Sequence, residues 1–163
     1  AASRGAQLRR GCAQAQGDWL MVLHADTVLQ AGWSDVAQAH LASRQAGYFK
    51  LRFDVRAPMA AWVAAWANLR SRLFDLPYGD QGLLIPRAMY DAAGGYPDQP
   101  LMEDVALTRA LSGRMQMLAA VAVTSAARYQ TRGWLRRGAR NLWTLLRYRL
   151  GADPAKLAAA YRR

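Results

Sequence analysis

Cysteine occurs once in this chain, at Cys12, and histidine twice, at His24 and His40. A single thiol excludes an intramolecular disulfide, and no second Cys or neighbouring His completes a zinc-ligand set around it. A reducing compartment is the expected setting, with Cys12 a small buried side chain on a helix. Glutamate also occurs once, at Glu103, among 11 acids that face 22 Lys and Arg. Long apolar runs are missing as well. The longest uncharged stretches, 57–69 and 115–127, span 13 residues each, whereas a membrane-spanning helix needs about 20. The opening residues 1–16 are polar and basic, unlike a signal peptide. The expectation is a soluble or peripheral protein. The chain starts without Met and inside a helical pattern, so a preceding segment is expected.

What is present describes one globular domain over residues 1–163. A 53% hydrophobic and 20% charged composition suits a real core rather than a disordered chain. The formal net charge is +11, and it is unevenly placed. From 128 to 163 there are ten basic residues and one acid, Asp153, a local charge of +9. Such a segment seeks polyanions: substrate phosphates, anionic lipid or nucleic acid.

The apolar patterning along the chain predicts a mixed α/β order. Residues 3–16 are helix-like, and the apolar run 19–23 reads as a buried strand delivering His24, Ala25, Asp26 and Thr27 at its end. A helix follows over 32–44. Residues 48–55 alternate, with Phe49, Leu51, Phe53 and Val55 on one face and Lys50, Arg52 and Asp54 on the other. Met59, Trp62, Val63, Trp66, Leu69 and Leu73 fall at helical spacing, so 59–74 is expected as a helix packing its tryptophans into the core, with a binding stripe as the alternative reading. A short strand over 83–85, a helical turn ending at Gly94-Gly95, a helix over 102–112, a strand over 115–123 and helices over 134–150 and 154–161 complete the chain. Asp153 and Pro154 mark the start of the last helix.

Because acids are scarce, their placement is informative. Glu103 and Asp104 open a helix, where dipole compensation of about 0.3–1 kcal/mol explains acids without catalysis. Adjacent helical residues point roughly 100 degrees apart, so one of the pair faces a given cleft and the other supports it. Asp26 follows directly on a strand, at the edge where ligands collect in open α/β sheets. Its hard oxygens suit Mg²⁺ or Mn²⁺; the alternative is a turn Asp. Asp80 stands in Tyr78-Gly79-Asp80-Gln81-Gly82, where flanking glycines permit close backbone approach to a ligand and also serve an ordinary loop.

Taken in order, these segments resemble the inverting glycosyltransferases of family 2, with the GT-A fold. The run Ser3-Arg4-Gly5 through Gly17-Asp18-Trp19-Leu20-Met21-Val22-Leu23-His24-Ala25-Asp26 is similar to that family's helix, strand and Asp-x-Asp segment. Leu83-Leu84-Ile85-Pro86-Arg87 with Gly94-Gly95-Tyr96-Pro97 resembles its acceptor-side strand and turn, and Met102-Glu103-Asp104-Val105 its Glu-Asp motif. The subgroup most resembled is bacterial, named for arsenosugar biosynthesis and for association with radical-SAM and selenium-domain proteins. Its His-Ala-Asp-Thr, Pro-Tyr-Gly-Asp-Gln-Gly and Leu-Met-Glu-Asp patterns all occur here in order.

The resemblance implies a GT-A-like mixed sheet flanked by helices and a nucleotide-diphospho-sugar donor. Asp26 would ligate Mg²⁺ or Mn²⁺. Asp104 would be the general base toward the acceptor hydroxyl, with Glu103 supporting it or touching the acceptor. Arg4, His24, Asp26, Arg128 and Arg132 are expected on the donor diphosphate; Tyr78, Gly79, Asp80 and Gln81 on the acceptor, a small molecule or a lipid-linked one. There are three departures. The first Asp of Asp-x-Asp is His24. The His that many members carry after the last strand is replaced by Thr124-Ser125-Ala126-Ala127-Arg128, leaving Arg128 or Arg132 to neutralise phosphate. The family's first strand and base-clasping loop have no counterpart.

The segment 133–163 reads as basic amphipathic helices. Arg136, Arg140 and Arg147 share one face, and Leu135, Leu142, Leu145, Leu146 and Arg149 lie on another, with Trp134, Trp143 and Tyr148 adding bulk. Docking on an anionic membrane surface and packing on the sheet with solvated arginines are both open readings; nucleic acid is not an expected partner, since no recognised motif accompanies the charge. The expected location is cytoplasmic, at the inner membrane face if peripheral. Alternatives to the transferase are a non-catalytic module binding anionic surfaces through this end, and a sugar-nucleotide nucleotidyltransferase.

Overall fold

The computed structural model describes residues 3–111 and 113–162. Strands β1 (Trp19–Val22), β2 (Thr27–Leu29), β3 (Ala46–Phe53), β4 (Leu83–Pro86) and β5 (Met115–Thr124) form one mixed sheet in the order β1-β4-β3-β5-β2. β3 and β5 run parallel, and the other three neighbouring pairs are antiparallel. Among the described residues, eight α-helices flank the sheet: α1 (Arg4–Gln14), α2 (Trp33–Leu41), α3 (Pro58–Phe74), α4 (Arg87–Ala92), α5 (Glu103–Ala110), α6 (Ala127–Arg132), α7 (Trp134–Arg149) and α8 (Pro154–Arg162). This is the mixed α/β architecture expected from the sequence. The expected end of α5 at Ser112 lies outside the described residues.

The pleat of β1 and β4 explains how the sheet is covered on both faces. Leu20, Leu83 and Ile85 pack with Cys12 of α1, Tyr90 of α4 and Leu107 of α5, while Trp19, Met21 and Leu84 pack with Ala37 and Leu41 of α2. Alternate side chains of one strand point to opposite faces, so four apolar residues in a row demand a layer on each side. Cys12 is buried in the first of these clusters, as expected for a free thiol. Gly5 lets α1 approach the loop before α5: its N–H donates to the Gln99 carbonyl at 3.2 Å, and a Cβ there would run into the Pro97 carbonyl.

β3 departs from strict alternation at its start. The register with β5 shifts between Tyr48 and Lys50, a bulge, and Phe49 packs with Leu84 and Leu118 rather than with Leu51 and Phe53. From Lys50 onward the pattern holds, with Lys50 and Arg52 exposed and Leu51 and Phe53 buried. Beyond Gly47, where β4 leaves off, the Asn68 side chain serves the open edge. Its Oδ1 accepts from the Leu51 N–H at 2.8 Å and its Nδ2 donates to the Leu51 carbonyl at 3.1 Å.

The expectation for α3 is overturned. The helix buries Ala60, Ala64 and Ala67 against Leu51 and Phe53, with Ser71 buried in line with them, and turns its large residues outward. Trp62, Trp66, Leu69 and Leu73 are 47–64% exposed. Small residues at spacings of four, three and four let the helix axis approach the sheet closely, and the opposite stripe carries the tryptophans. The amphipathic reading of α7 is half kept. Thr144 and Leu145 are buried, with Leu145 packed on Leu76, Met102 and Val105, whereas Leu135, Leu142 and Leu146 face outward. α8 starts as expected, with Asp153 Oδ1 accepting from the Ala155 N–H at 2.8 Å.

Candidate functional site

One cavity of about 790 Å³ opens where the turn after β1, the end of β5, the loop before β4 and the start of α5 meet. His24, Asp26, Tyr78, Asp80, Asp104, Arg4 and Arg128 all line it. Three motifs far apart in the sequence therefore share one wall system. Glu103, Gly79, Gln81 and Arg132 are not among its lining residues.

Asp26 reaches the cavity because the turn that carries it is tied at both ends. The Thr27 N–H donates to the His24 carbonyl at 3.0 Å, and the Asp26 carbonyl accepts from the Ser125 N–H at 3.1 Å. The Thr27 hydroxyl, buried, bonds that of Thr124 at 3.2 Å. These contacts explain β2, a three-residue strand that pattern reading does not find: it exists through pairing with β5. The Asp26 side chain is exposed and makes no hydrogen bond or ion pair among the described residues. Arg128 lines the same cavity from α6, whose start is fixed by Asp54 Oδ1 accepting from the Ala126 N–H at 2.9 Å.

Asp104 is held as an oriented acceptor. Its Oδ2 accepts from the Gly79 N–H at 2.9 Å and its Oδ1 from the Val105 N–H at 2.8 Å. Met102, just before α5, has φ of 64°, a left-handed conformation that costs a non-glycine residue about 1–2 kcal/mol and recurs at functional sites. Glu103 is fully buried beside it and pairs with Arg4, Nε to Oε1 at 2.8 Å. That contact is out of line for a hydrogen bond, and neither Glu103 oxygen has a hydrogen-bond partner among the described residues. Burial and the neighbouring Asp104 push the Glu103 carboxyl up, and Arg4 opposes them.

Arg4 also donates to the His24 ring, so Glu103, Arg4 and His24 form a chain along the wall. An always-charged guanidinium can donate only to an unprotonated ring nitrogen. Burial first and Arg4 second lower the His24 pKa to about 4, so the imidazole is neutral at pH 7. Gly79 is pressed against that ring, and a Cβ at this position would overlap it. The glycine thus serves two contacts, His24 above and Asp104 through its N–H.

The loop splits into cavity-lining members, Tyr78 and Asp80, and structural ones. Gln81 is fully buried: its Oε1 accepts from the Ser71 hydroxyl at 2.6 Å and its Nε2 donates to the Phe49 carbonyl at 3.2 Å. It locks α3 to β3. Asp80 is half-buried, and its fully buried Oδ1 has no hydrogen-bond partner among the described residues. Burial raises its pKa to about 6 against the pull of Arg70. Arg70 lies over the Tyr78 ring, 3.6 Å from its centre. Burial drives the Tyr78 phenol up to about 12.

A fourth wall is not legible in the motifs. Arg137 donates to the Tyr161 hydroxyl at 3.2 Å, Tyr161 donates to Asn141 Oδ1 at 2.7 Å, and Asn141 Nδ2 donates to the Tyr129 hydroxyl at 3.2 Å. All four line the cavity. A signal existed in the sequence: Arg137 and Asn141, four apart, fall on the same side of α7 as Trp134 and Leu145, and a polar pair on a packed side calls for a polar neighbour.

Among the described residues, no three His, Cys, Asp or Glu side chains stand together as a self-sufficient metal site. What the cavity offers is one free carboxylate, Asp26, a half-buried one, Asp80, one held by two backbone N–H groups, Asp104, a neutral imidazole, and the guanidinium groups of Arg4, Arg128 and Arg137. No protein-family model matches the chain, and no curated protein matches it closely enough to count as a relative.

Proposed function

We propose that the cavity transfers a sugar from a nucleotide-diphospho-sugar to an acceptor hydroxyl with inversion, in the manner of family 2 glycosyltransferases with a GT-A fold. The observation that carries this reading is the convergence of Asp26, Asp80 and Asp104, from three separate motifs, on one cavity that also presents Arg4 and Arg128. A carboxylate held by two backbone N–H groups, with lone pairs to spare, is suited to take a proton at a defined position. Guanidinium groups suit a leaving diphosphate.

In this reading Asp104 accepts the proton of the acceptor hydroxyl. The hydroxyl oxygen forms the new bond to the anomeric carbon as the bond to the diphosphate oxygen breaks, and the nucleoside diphosphate leaves toward Arg128 and Arg4. Glu103 is a positioning residue: buried, it holds Arg4, which holds His24 beside the donor. The unpartnered Asp80 Oδ1 is an acceptor for a substrate hydroxyl. Asp26, an unpaired oxygen donor, fits Mg²⁺ or Mn²⁺, which commonly takes one or two protein carboxylates and completes its shell with substrate phosphate oxygens and water. When bound, that ion supplies neutralisation of the diphosphate charge.

The test is product analysis. Incubated with Mn²⁺ and a panel of nucleotide-diphospho-sugars, the protein should release nucleoside diphosphate, and proton NMR should find the transferred sugar with inverted anomeric configuration. Retention of configuration, or no turnover of any donor, would contradict the reading.

A further inference from the structure

The outward face of α3 is apolar. Trp62, Trp66, Leu69 and Leu73 recur at spacings of four, three and four, and Phe74 extends the stripe; each is about half exposed or more. α7, which packs against α3, repeats the arrangement. Leu135, Leu142 and Leu146 share an outward strip, with Trp143 and Leu150 beside it, all 45–78% exposed. Monomers rarely leave patches of this kind bare unless something covers them.

Charge identifies the occupant. Residues 58–74 and 134–150 contain no acid. Arg136 and Arg149 are exposed on either side of the α7 strip, and Arg72 is exposed on α3. Tryptophan favours the headgroup level of a bilayer, and long basic side chains reach up to anionic headgroups while their stems lie on apolar surface. Among the described residues no helix is long and apolar enough to cross a membrane, so this geometry lies on a bilayer rather than through it.

We propose that α3 and α7 together form a surface that seats the protein on an anionic lipid leaflet. The surface extends well beyond the basic C-terminal helices to a helix that carries only two cations, and it owes nothing to the chemistry of the cavity. Apolar insertion supplies the grip, and the arginines select anionic lipid.

Flotation with vesicles of equal parts phosphatidylglycerol and phosphatidylcholine tests this. Binding is expected there and not on phosphatidylcholine alone. The pair Trp62→Ser with Trp66→Ser, and separately Leu142→Gln with Leu146→Gln, should each weaken binding about tenfold or more. These side chains are exposed, so the free protein's thermal midpoint should stay unchanged, which confirms folding. Arg136→Gln with Arg149→Gln should weaken binding and flatten its salt dependence. Absence of vesicle binding, or binding that the apolar variants leave intact, overturns the proposal. So does a dimer in analytical ultracentrifugation that the same variants dissolve while vesicle binding is missing, since the stripe would then cover itself.

Discussion

Replacing Asp80 with Asn should stabilise the protein at neutral pH and do so progressively less as the solution is acidified. The Asp80 carboxyl titrates at about 6 rather than 3.8, chiefly because burial penalises its charge. A group whose folded pKa is raised binds its proton more tightly in the folded state. Folding is therefore penalised once the unfolded chain has lost that proton. The penalty is absent below 3.8, grows between 3.8 and about 6, and is complete above. The gap corresponds to about 3 kcal/mol at pH 7, or about 6–12 °C in thermal midpoint for a chain of this size. Urea unfolding of both proteins from pH 4 to pH 8 measures it. The difference in unfolding free energy, variant minus parent, should rise by about that amount across the range. A pH-independent difference would refute the burial argument, and a difference that falls with pH would reverse its sign.

Arg4→Ala leaves the buried Glu103 carboxylate without its cation. The expected loss is about 2–3 kcal/mol, below the fully buried case because the Arg4 side chain is 39% exposed. Denaturant unfolding should recover most of that loss when Glu103→Gln is added, or when acid protonates Glu103, whose pKa already lies above the ordinary range. Gly79→Ala drives a methyl group into the His24 ring, so it should cost about 1–3 kcal/mol and displace the His24 imidazole resonances in NMR. On α3 the two faces should respond in opposite ways. Ala64→Leu overpacks the sheet contact at about 1–3 kcal/mol, whereas Trp62→Ser should lie within about 0.5 kcal/mol of the parent in thermal unfolding.

The sequence makes most elements legible where a local pattern is enough. β1, β4 and β5 announce themselves as short apolar runs, α8 through Asp153 and Pro154, and Cys12 through its chemistry. β2 and α6 escape because three and six residues carry too little periodicity; both are created by tertiary contacts, β2 by pairing with β5 and α6 by Asp54. α3 misleads for a physical reason. Hydrophobicity identifies a stripe, but the residues of α3 buried on Leu51 and Phe53 are alanines, so closeness of approach and not side-chain size selects the buried face. At the cavity the acids are legible from their motifs, and their division of labour is not. That Glu103 sits behind the wall, Gln81 inside the core and Asp104 at the cavity depends on which way α5 and the preceding loop turn, at Met102 and Gly79. The Arg137, Asn141 and Tyr161 wall depends on how α7 and α8 dock, which residue spacing along one helix cannot supply.

The central claim, that Asp104 is the base of a sugar transfer, is tested most directly by steady-state turnover of Asp104→Asn with the preferred donor and Mn²⁺. Asn keeps the size and can still accept the Gly79 N–H, but it cannot take a proton. Expected is a fall in kcat of about 10²–10⁴-fold while the donor KM stays within a few-fold and the fold survives, as measured by thermal unfolding. An Asp104→Asn protein that turns over at the parent rate would contradict it.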